Sequence, residues 1–458
     1  MNRVTYFIII VSLTLLCNSC RIGRVHKLSE MNIPVGFESE GLGEGATADI
    51  GWSTMYADTV LQSLITKALD NNKDLLSASA HIKEMIANKR INFSQLLPDF
   101  GVNIGAEREF TNHAGDNKTY DSGLTAGVAI AWELDIWGKL RWHNEAGIAA
   151  YSQSVEAQRA LQLTIIAQVA QTYFELKALD HELTIVKQTL DARREGVRFA
   201  KLRYEGGLTS EIPYRQSLVE LARTETLVPA LKKEIKLKEN DLSLLLGEFP
   251  SEIPRGKDSP LLTIPNDLPI DLPSSLLQRR PDVRFAEQQL REANAKVGVA
   301  LTGMFPSIKL TGNAGFENTE LTDFLKSPAW LISGAITGPI FNMARNRAAH
   351  KAAQAVYEQE VYSYEKKILD VFREVNNAII TFVKTKEMYK SAETLYESVL
   401  SYHKLARLQY VNGVINYIDV LDAQRQLFDA EISLNDALLN KLTATVILYK
   451  VLGGGVAK

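Results

Sequence analysis

Residues 198–208 read RFAKLRYEGGL, and residues 404–414 read KLARLQYVNGV. Ala200, Leu202, Tyr204 and Gly207 return as Ala406, Leu408, Tyr410 and Gly413, a constant shift of 206 residues. The same shift carries Tyr151, Val155 and Glu225 to Tyr357, Val361 and Glu431. Farther upstream the shift becomes 208, taking Asp74, Ala87 and Pro98 to Asp282, Ala295 and Pro306. An offset that persists over most of both halves and slips only slightly is the mark of an old duplication with a small insertion or deletion.

In each copy the quoted segment closes a long run without helix breakers. From Trp142 to Tyr204 there is no proline, and glycine occurs only at Gly147 and Gly196; from Ala344 to Tyr410 there is neither. A stretch of ~60 residues would extend roughly 90 Å as straight helix. Ile368, Phe372, Val375, Ile379 and Phe382 step by four, three, four and three, the rhythm of coiled-coil packing. Past each glycine turn a second helical segment follows, Ile212–Leu246 and Ile418–Leu452. The expectation is two long helical hairpins with tips at Glu205–Ser210 and Val411–Asn416.

Upstream of each long helix the period changes from helical to two. In Phe100–Phe110, Phe100, Val102, Ile104 and Ala106 alternate with Gly101, Asn103, Gly105 and Glu107. In Leu124–Leu134, Leu124, Ala126, Val128, Ile130, Trp132 and Leu134 share one face. The second half answers with Ile308, Leu310, Ala314 and Phe316, then with a strand running from Trp330 to Ile340. Period two with one apolar face is the signature of a strand, and segments of about ten such residues suit an outer-membrane barrel. The polar stretches Thr111–Ser122 and Glu317–Pro328 read as loops, and Trp132, Trp137 and Trp330 as candidates for an aromatic girdle. Four strands cannot close a membrane barrel, which needs at least about eight, and an open edge in lipid leaves backbone groups unpaired. A membrane role therefore demands several copies; three would supply about twelve strands. The fold class expected is mainly α with a small β part.

Pro250, Pro254, Pro260, Pro265, Pro269 and Pro273 crowd the region between the halves, as in an extended connector. The chain divides accordingly into a first repeat at 51–247, a connector at 248–270, a second repeat at 271–452 and a tail at 453–458. Pro281 suits the first turn of the helix opening the second repeat, and Asp282 suits the positive end of its dipole. At the N-terminus, Arg3 and the apolar run Phe7–Leu16 form an export signal, too short to span a membrane. Residues 1–19 read as that signal. Cys20, directly after Ser19, resembles the acyl acceptor of bacterial lipoproteins, and residues 20–50 would lead from the anchor to the first helix.

The 458 residues carry a formal net charge of -3, which gives no reason to expect nucleic acid as a partner. Cys17 and Cys20 are the only cysteines, and the seven histidines are scattered without ligand spacing. No nucleophile–base constellation is present, so neither an enzyme nor a protein with a cofactor or metal is expected, apart from covalent lipid on Cys20.

The segments QLLPDFGVNI, WELDIWGKLR, RYEGGLTSEI, LLQRRPDVRFAEQQLREANAKVGVALTGMFPSIKLTG, GPIFNMARNRA and YVNGVINYIDVLDAQRQLFDAE lie in an order that resembles the TolC-like outer membrane efflux proteins, in their lipoprotein branch. The resemblance covers nearly everything after residue 50. It implies a homotrimer with a twelve-stranded β-barrel in the outer membrane and a tunnel of helical hairpins in the periplasm. It also implies two partners: a periplasmic adaptor protein and an inner-membrane pump of the RND or ABC type. The cargo would be drugs or other toxic small molecules, with protein secretion or a non-channel coiled-coil scaffold as alternatives. By the same resemblance Gly207, Leu208, Thr209, Gly413, Val414 and Ile415 would contact the adaptor. Tyr410, Asp419, Asp422 and Arg425 would form the periplasmic gate, with Arg425 pairing to a carboxylate. Threefold symmetry would turn the aspartates into rings that attract cations. Pro213 departs from the acidic pattern of the first hairpin, which would leave the gate mainly to the second.

Overall fold

The computed structural model describes residues 22–23, 51–113, 117–256, 277–338 and 342–454. The expected signal peptide, the acceptor Cys20 and most of the expected connector lie outside them. In chain order the helices are α1 (Trp52–Met55), α2 (Thr59–Asn71), α3 (Lys73–Ser94), α4 (Lys139–Glu205), α5 (Ile212–Leu245), α6 (Pro281–Thr302), α7 (Met343–Val411) and α8 (Tyr417–Val451). The strands β1 (Asp99–His113) and β2 (Asn117–Leu134) fall between α3 and α4; β3 (Ser307–Asn318) and β4 (Pro328–Thr337) fall between α6 and α7. Contacts divide the chain into two compact units, and each draws on both sequence repeats. One unit holds the sheet with residues 22–23 and segments 80–155 and 285–366; the other holds the hairpin tips with segments 51–79, 156–256, 277–284 and 367–454.

The first unit is built on an antiparallel meander, β1-β2-β3-β4. The register places Phe100 opposite Ile130, Val102 opposite Val128, Val128 opposite Ala314, and Ala314 opposite Trp330. Residues facing each other across an antiparallel pair share a face, so one face is apolar from Phe100 to Ala106 and across the strands beside them, giving way to Arg108, Ser122 and Asn318 beyond. It carries Phe100, Val102, Ile104, Ile130, Leu310, Trp330, Ile332 and Ile336. Val102 is 77%, Ile104 82% and Ile332 76% exposed, so no described residue covers this face. The opposite face carries Asn103, Glu107, Thr125, Glu133, Lys309, Thr311 and Ser333, along with small residues.

Two sequence expectations change here. Thr111–Ser122 is not a loop: β1 continues to His113, and β2 starts at Asn117. Their ladder pairs Thr111 with Thr119 and Glu109 with Asp121. Backbone pairing and one cross-strand aromatic contact, Phe110 on Tyr120, carry these residues after regular apolar alternation has ended. The expected loop at Glu317–Pro328 is trimmed at both ends, with a 3₁₀ turn at Phe324–Lys326. β4 ends at Thr337, and Ile340 lies outside the described residues. The three tryptophans also separate. Trp330 is exposed on the apolar face. Trp132 donates its indole N–H to Leu96 O at 3.1 Å, and Trp137 donates to Pro306 O at 2.7 Å while stacking on Phe305. These two are packed into the base of the sheet, where an indole N–H must find a partner.

The WELDIWGKLR segment is the joint between β2 and α4. Asp135 accepts hydrogen bonds from Leu140 N and Arg141 N and from Arg141 Nε, capping the open N–H groups of the helix. Gly138 makes the turn at φ +82°, a region that disfavours any side chain.

In the second unit, buried Tyr56 meets Tyr449 edge to face and Phe174 at a tilt, and Leu61, Ile65 and Leu448 are fully buried as well. The heptad residues Ile368, Val375, Ile379 and Phe382 are buried along α7, and Val371 beside Phe372 joins them. The RRPD segment forms an ion hub. Arg280, almost fully buried, donates to both carboxylate oxygens of Asp282, to Glu374 Oε2 and to Val451 O. Lys367 lies 2.6 Å from Asp282. Burial works against ionising Asp282, but the Arg280 bonds and charge, with Lys367, outweigh it and hold the carboxyl at about 2. Asp282 thus does more than meet the helix dipole.

Candidate functional site

Both hairpin tips are built by the same backbone device. At the end of α4, Leu208 N donates to Arg203 O and Gly207 N to Tyr204 O. At the end of α7, Val414 N donates to Gln409 O and Gly413 N to Tyr410 O. Each is a Schellman turn, with glycine in the left-handed region at φ +70° and +76°. The residue after the glycine is thrown outward: Leu208 is 71% and Val414 69% exposed. Thr209 and Ile415, next in line, are half-buried. Each tip thus presents the aliphatic side chain after its glycine on a rigid turn, and exposed Ile212 and Val411 flank the two turns. An aromatic pair backs each turn, Tyr204 stacked on Tyr214 and Tyr410 tilted against Tyr417. Arg203 lies over the Tyr410 ring, and burial followed by the nearness of Tyr410 pushes the Tyr417 hydroxyl up to about 12.

The second tip continues into α8 through a capping box. The Asn416 side chain accepts from the backbone N–H of Asp419, and Asp419 Oδ2 accepts from Asn416 N at 3.0 Å. Asp422 accepts from Gln426 Nε2 one turn along. Neither aspartate is brought to Arg425. Arg425 instead reaches 2.9 Å to Glu220 Oε1 on α5. The carboxylate expected to pair with Arg425 is therefore one that the sequence reading did not name.

Glu220 is almost fully buried and is held from three helices. Arg193 of α4 lies 3.3 Å from its Oε2 and also donates to the backbone O of Glu220 and to Thr224 Oγ1. Arg223 stands one turn along α5 at 3.9 Å, and Arg425 comes from α8. Burial lowers the Arg193 pKa, and Glu220 opposes that fall. A buried carboxylate needs such company, since an unpaired buried charge costs several kcal/mol. Sequence spacing gives no hint of this cluster, because its members are far apart in the chain and Glu220 falls on Gln426 under the repeat shift. The capping box, by contrast, was readable from Asn416 and Asp419, three residues apart.

Among the described residues no cluster of His, Cys, Asp and Glu could hold a metal ion, and no helix is long and apolar enough to cross a membrane. The second statement says nothing of strands, and the apolar face of the sheet is the surface suited to lipid.

The sequence profile described as outer membrane efflux protein matches residues 64–248 and 272–454. The toluene efflux pump outer membrane protein TtgF of Pseudomonas putida is 34% identical over 422 residues, covering 89% of this chain and 86% of that protein. SilC of Salmonella typhimurium, described as a probable outer membrane lipoprotein, is 30% identical, with 89% and 88% covered. Among solved structures, the open state of the MtrE outer membrane channel of Neisseria gonorrhoeae superposes with a TM-score of 0.88 at 27% identity, covering 95% of this chain and 99% of that one.

Proposed function

This chain belongs to the outer membrane efflux protein family, and on that premise we propose that three copies form a passive conduit for drugs or other small toxic compounds across the outer membrane. The observation that carries this reading is the sheet: one face presents a broad apolar band that no described residue covers, the other is mostly polar, and among the described residues both outer strands have an open edge. Water does not favour such a face and lipid does not tolerate such edges. Three sheets joined edge to edge resolve both conflicts, giving about twelve strands with the polar faces turned to the lumen. The polar face then offers Glu107, Glu133, Thr311 and Ser333 to a wetted passage.

In this reading the chain performs no chemistry. An inner-membrane pump of the RND or ABC type supplies the energy, and a periplasmic adaptor joins pump to channel. The outward Leu208 and Val414, on turns fixed by Gly207 and Gly413 and flanked by Thr209 and Ile415, support docking of the adaptor at the tips. Asp419 and Asp422, repeated threefold, make acidic rings at the entrance, with Tyr410 and Arg425 holding neighbouring helices in place. Cys20 carries the lipid, as the description of SilC as a lipoprotein and the Ser19–Cys20 sequence together suggest.

The proposal is tested by fractionating cells and running the unheated protein in detergent. A heat-dissociable trimer in the outer membrane is expected; a soluble monomer would overturn it. Replacing Asp419 and Asp422 with Asn should lower cation preference in bilayer recordings, and unchanged selectivity would remove both from the pore.

A further inference from the structure

At the base of the sheet, residues 22 and 23 are held against a tryptophan. Trp142, in the first turn of α4, is 1% exposed. Its indole N–H donates to Ile22 O at 2.8 Å, and Ile22 N donates to Trp137 O at 3.3 Å. The ring lies between two glycines. A Cβ on Gly23 would stand 2.7 Å from the ring, and one on Gly298 of α6 would stand 2.3 Å from it. Any side chain on either glycine would collide with the indole. Gly23 also sits at φ +129°, where a side chain is strained whatever the space. One indole backed by Gly298, a glycine that lets the chain approach it, one indole-to-carbonyl bond and one backbone bond to Trp137 thus hold a short piece of chain that contributes no strand or helix of its own.

The place of that piece in the sequence gives the arrangement its meaning. Ile22 is two residues after Cys20, and two residues of chain reach no farther than about 7 Å. A clamp on residues 22–23 therefore limits where anything attached to Cys20 can go. Trp137, which takes part in the clamp, also ties to Pro306 at the start of β3. The clamp and the sheet base are one packed cluster.

We infer that Trp142, sandwiched between Gly23 and Gly298, is a seating residue for the lipid anchor, fixing the acylated N-terminus to the base of the sheet. The inference rests on the reading of Cys20 as the acylated residue. Held this way, the acyl chains and the apolar face enter the membrane at a set relative depth. An anchor on a loose tether would leave that depth free. The tryptophan acts on position only and touches no cargo.

Trypsin tests this directly, because it cuts after Arg21 and Arg24, the residues flanking the clamped pair, and needs extended chain to do so. The full-length protein is labelled in cells with an alkyne-tagged palmitate and purified in detergent. Trimers are then treated with graded trypsin, and the label remaining on the large chain is followed. Gly23→Val pushes the clamped segment off the ring while leaving Trp142 and Gly298 themselves unchanged, and Trp142→Phe keeps an aromatic ring but removes its donor. Both variants should release label at trypsin concentrations at least tenfold below those needed for the parent protein, Gly23→Val the more readily. Release at the same concentration in all three proteins would overturn the clamp. Failure of the parent chain to take up palmitate would overturn the lipid reading instead. The clamp would then be judged on the same digests by whether the new N-termini Ile22 and Val25 appear earlier in the variants.

Discussion

The two hairpin tips share a turn and differ in the polar contacts of the helices that follow it. Each closes with the same pair of hydrogen bonds around a left-handed glycine and exposes the aliphatic residue that follows it. Beyond the turn they part. α8 begins with the Asn416–Asp419 capping box. α5 begins at Ile212–Pro213 with no side-chain cap, its proline supplying the preset φ that a first turn needs. Higher up, α5 buries Glu220 among arginines, whereas its counterpart Gln426 merely donates to Asp422. A duplicated fold retained the geometry of its turns because a left-handed glycine has no cheap substitute. Its polar contacts were free to diverge, since several different sets can satisfy the same helix ends.

The sharpest way to break the comparison is at Glu220. Glu220→Ala should destabilise the protein by about 3–5 kcal/mol, because Arg193 stays buried without its partner. Gln426→Ala should change stability by less than about 0.5 kcal/mol. Thermal unfolding of the two variants decides this, and equal losses would mean the hairpins are not chemically distinct.

A second asymmetry lies at the paired aspartates Asp74 and Asp282. The folded state holds Asp282 at about 2, below its ordinary value of 3.8. Its ionisation therefore favours folding above pH 4, and that contribution drains away as pH falls toward 2. The amount is about 2 kcal/mol by linkage. Acid unfolding curves of Asp282→Asn should have lost that limb, while Asp74→Asn, at an exposed site, should retain it.

The shared turn calls for equal effects. Gly207→Ala and Gly413→Ala should each cost about 1 kcal/mol, since no atom lies within 4 Å of the added carbon and only the left-handed backbone is strained. Losses that differ would show one turn to be supported from outside. Smallest of all, Asp419→Ala should cost about 0.5–1 kcal/mol through the lost capping box, and Glu211→Ala, at a position with no cap bond, should cost less.

The strands and tips were legible in the sequence because they depend on local rules. Alternation from Leu124 to Leu134 fixed one face of β2, and Gly207 and Gly413 marked the turns. Strand ends were harder to read. Thr111 and Thr119 pair through backbone, and beyond the lone Phe110–Tyr120 contact too few apolar residues recur for a hydrophobic period to signal the strand. The gate residues show the other limit. Asp419, Asp422 and Arg425 read as one helix face, yet Arg425 turns to Glu220, a choice made by the packing of α4, α5 and α8. The Asp282 hub was half visible: its place at the start of a helix could be read, but Glu374 and Lys367 come from α7, distant in sequence.

The sheet's two free edges carry a genetic consequence. In a three-chain assembly each edge is completed by a different neighbour, so no subunit can seal the wall by itself. One chain with a proline in the edge strand β1 or β4 would break a seam shared with normal partners. Such an allele, expressed beside the intact gene, should behave as a poison, disabling far more assemblies than its share of the protein.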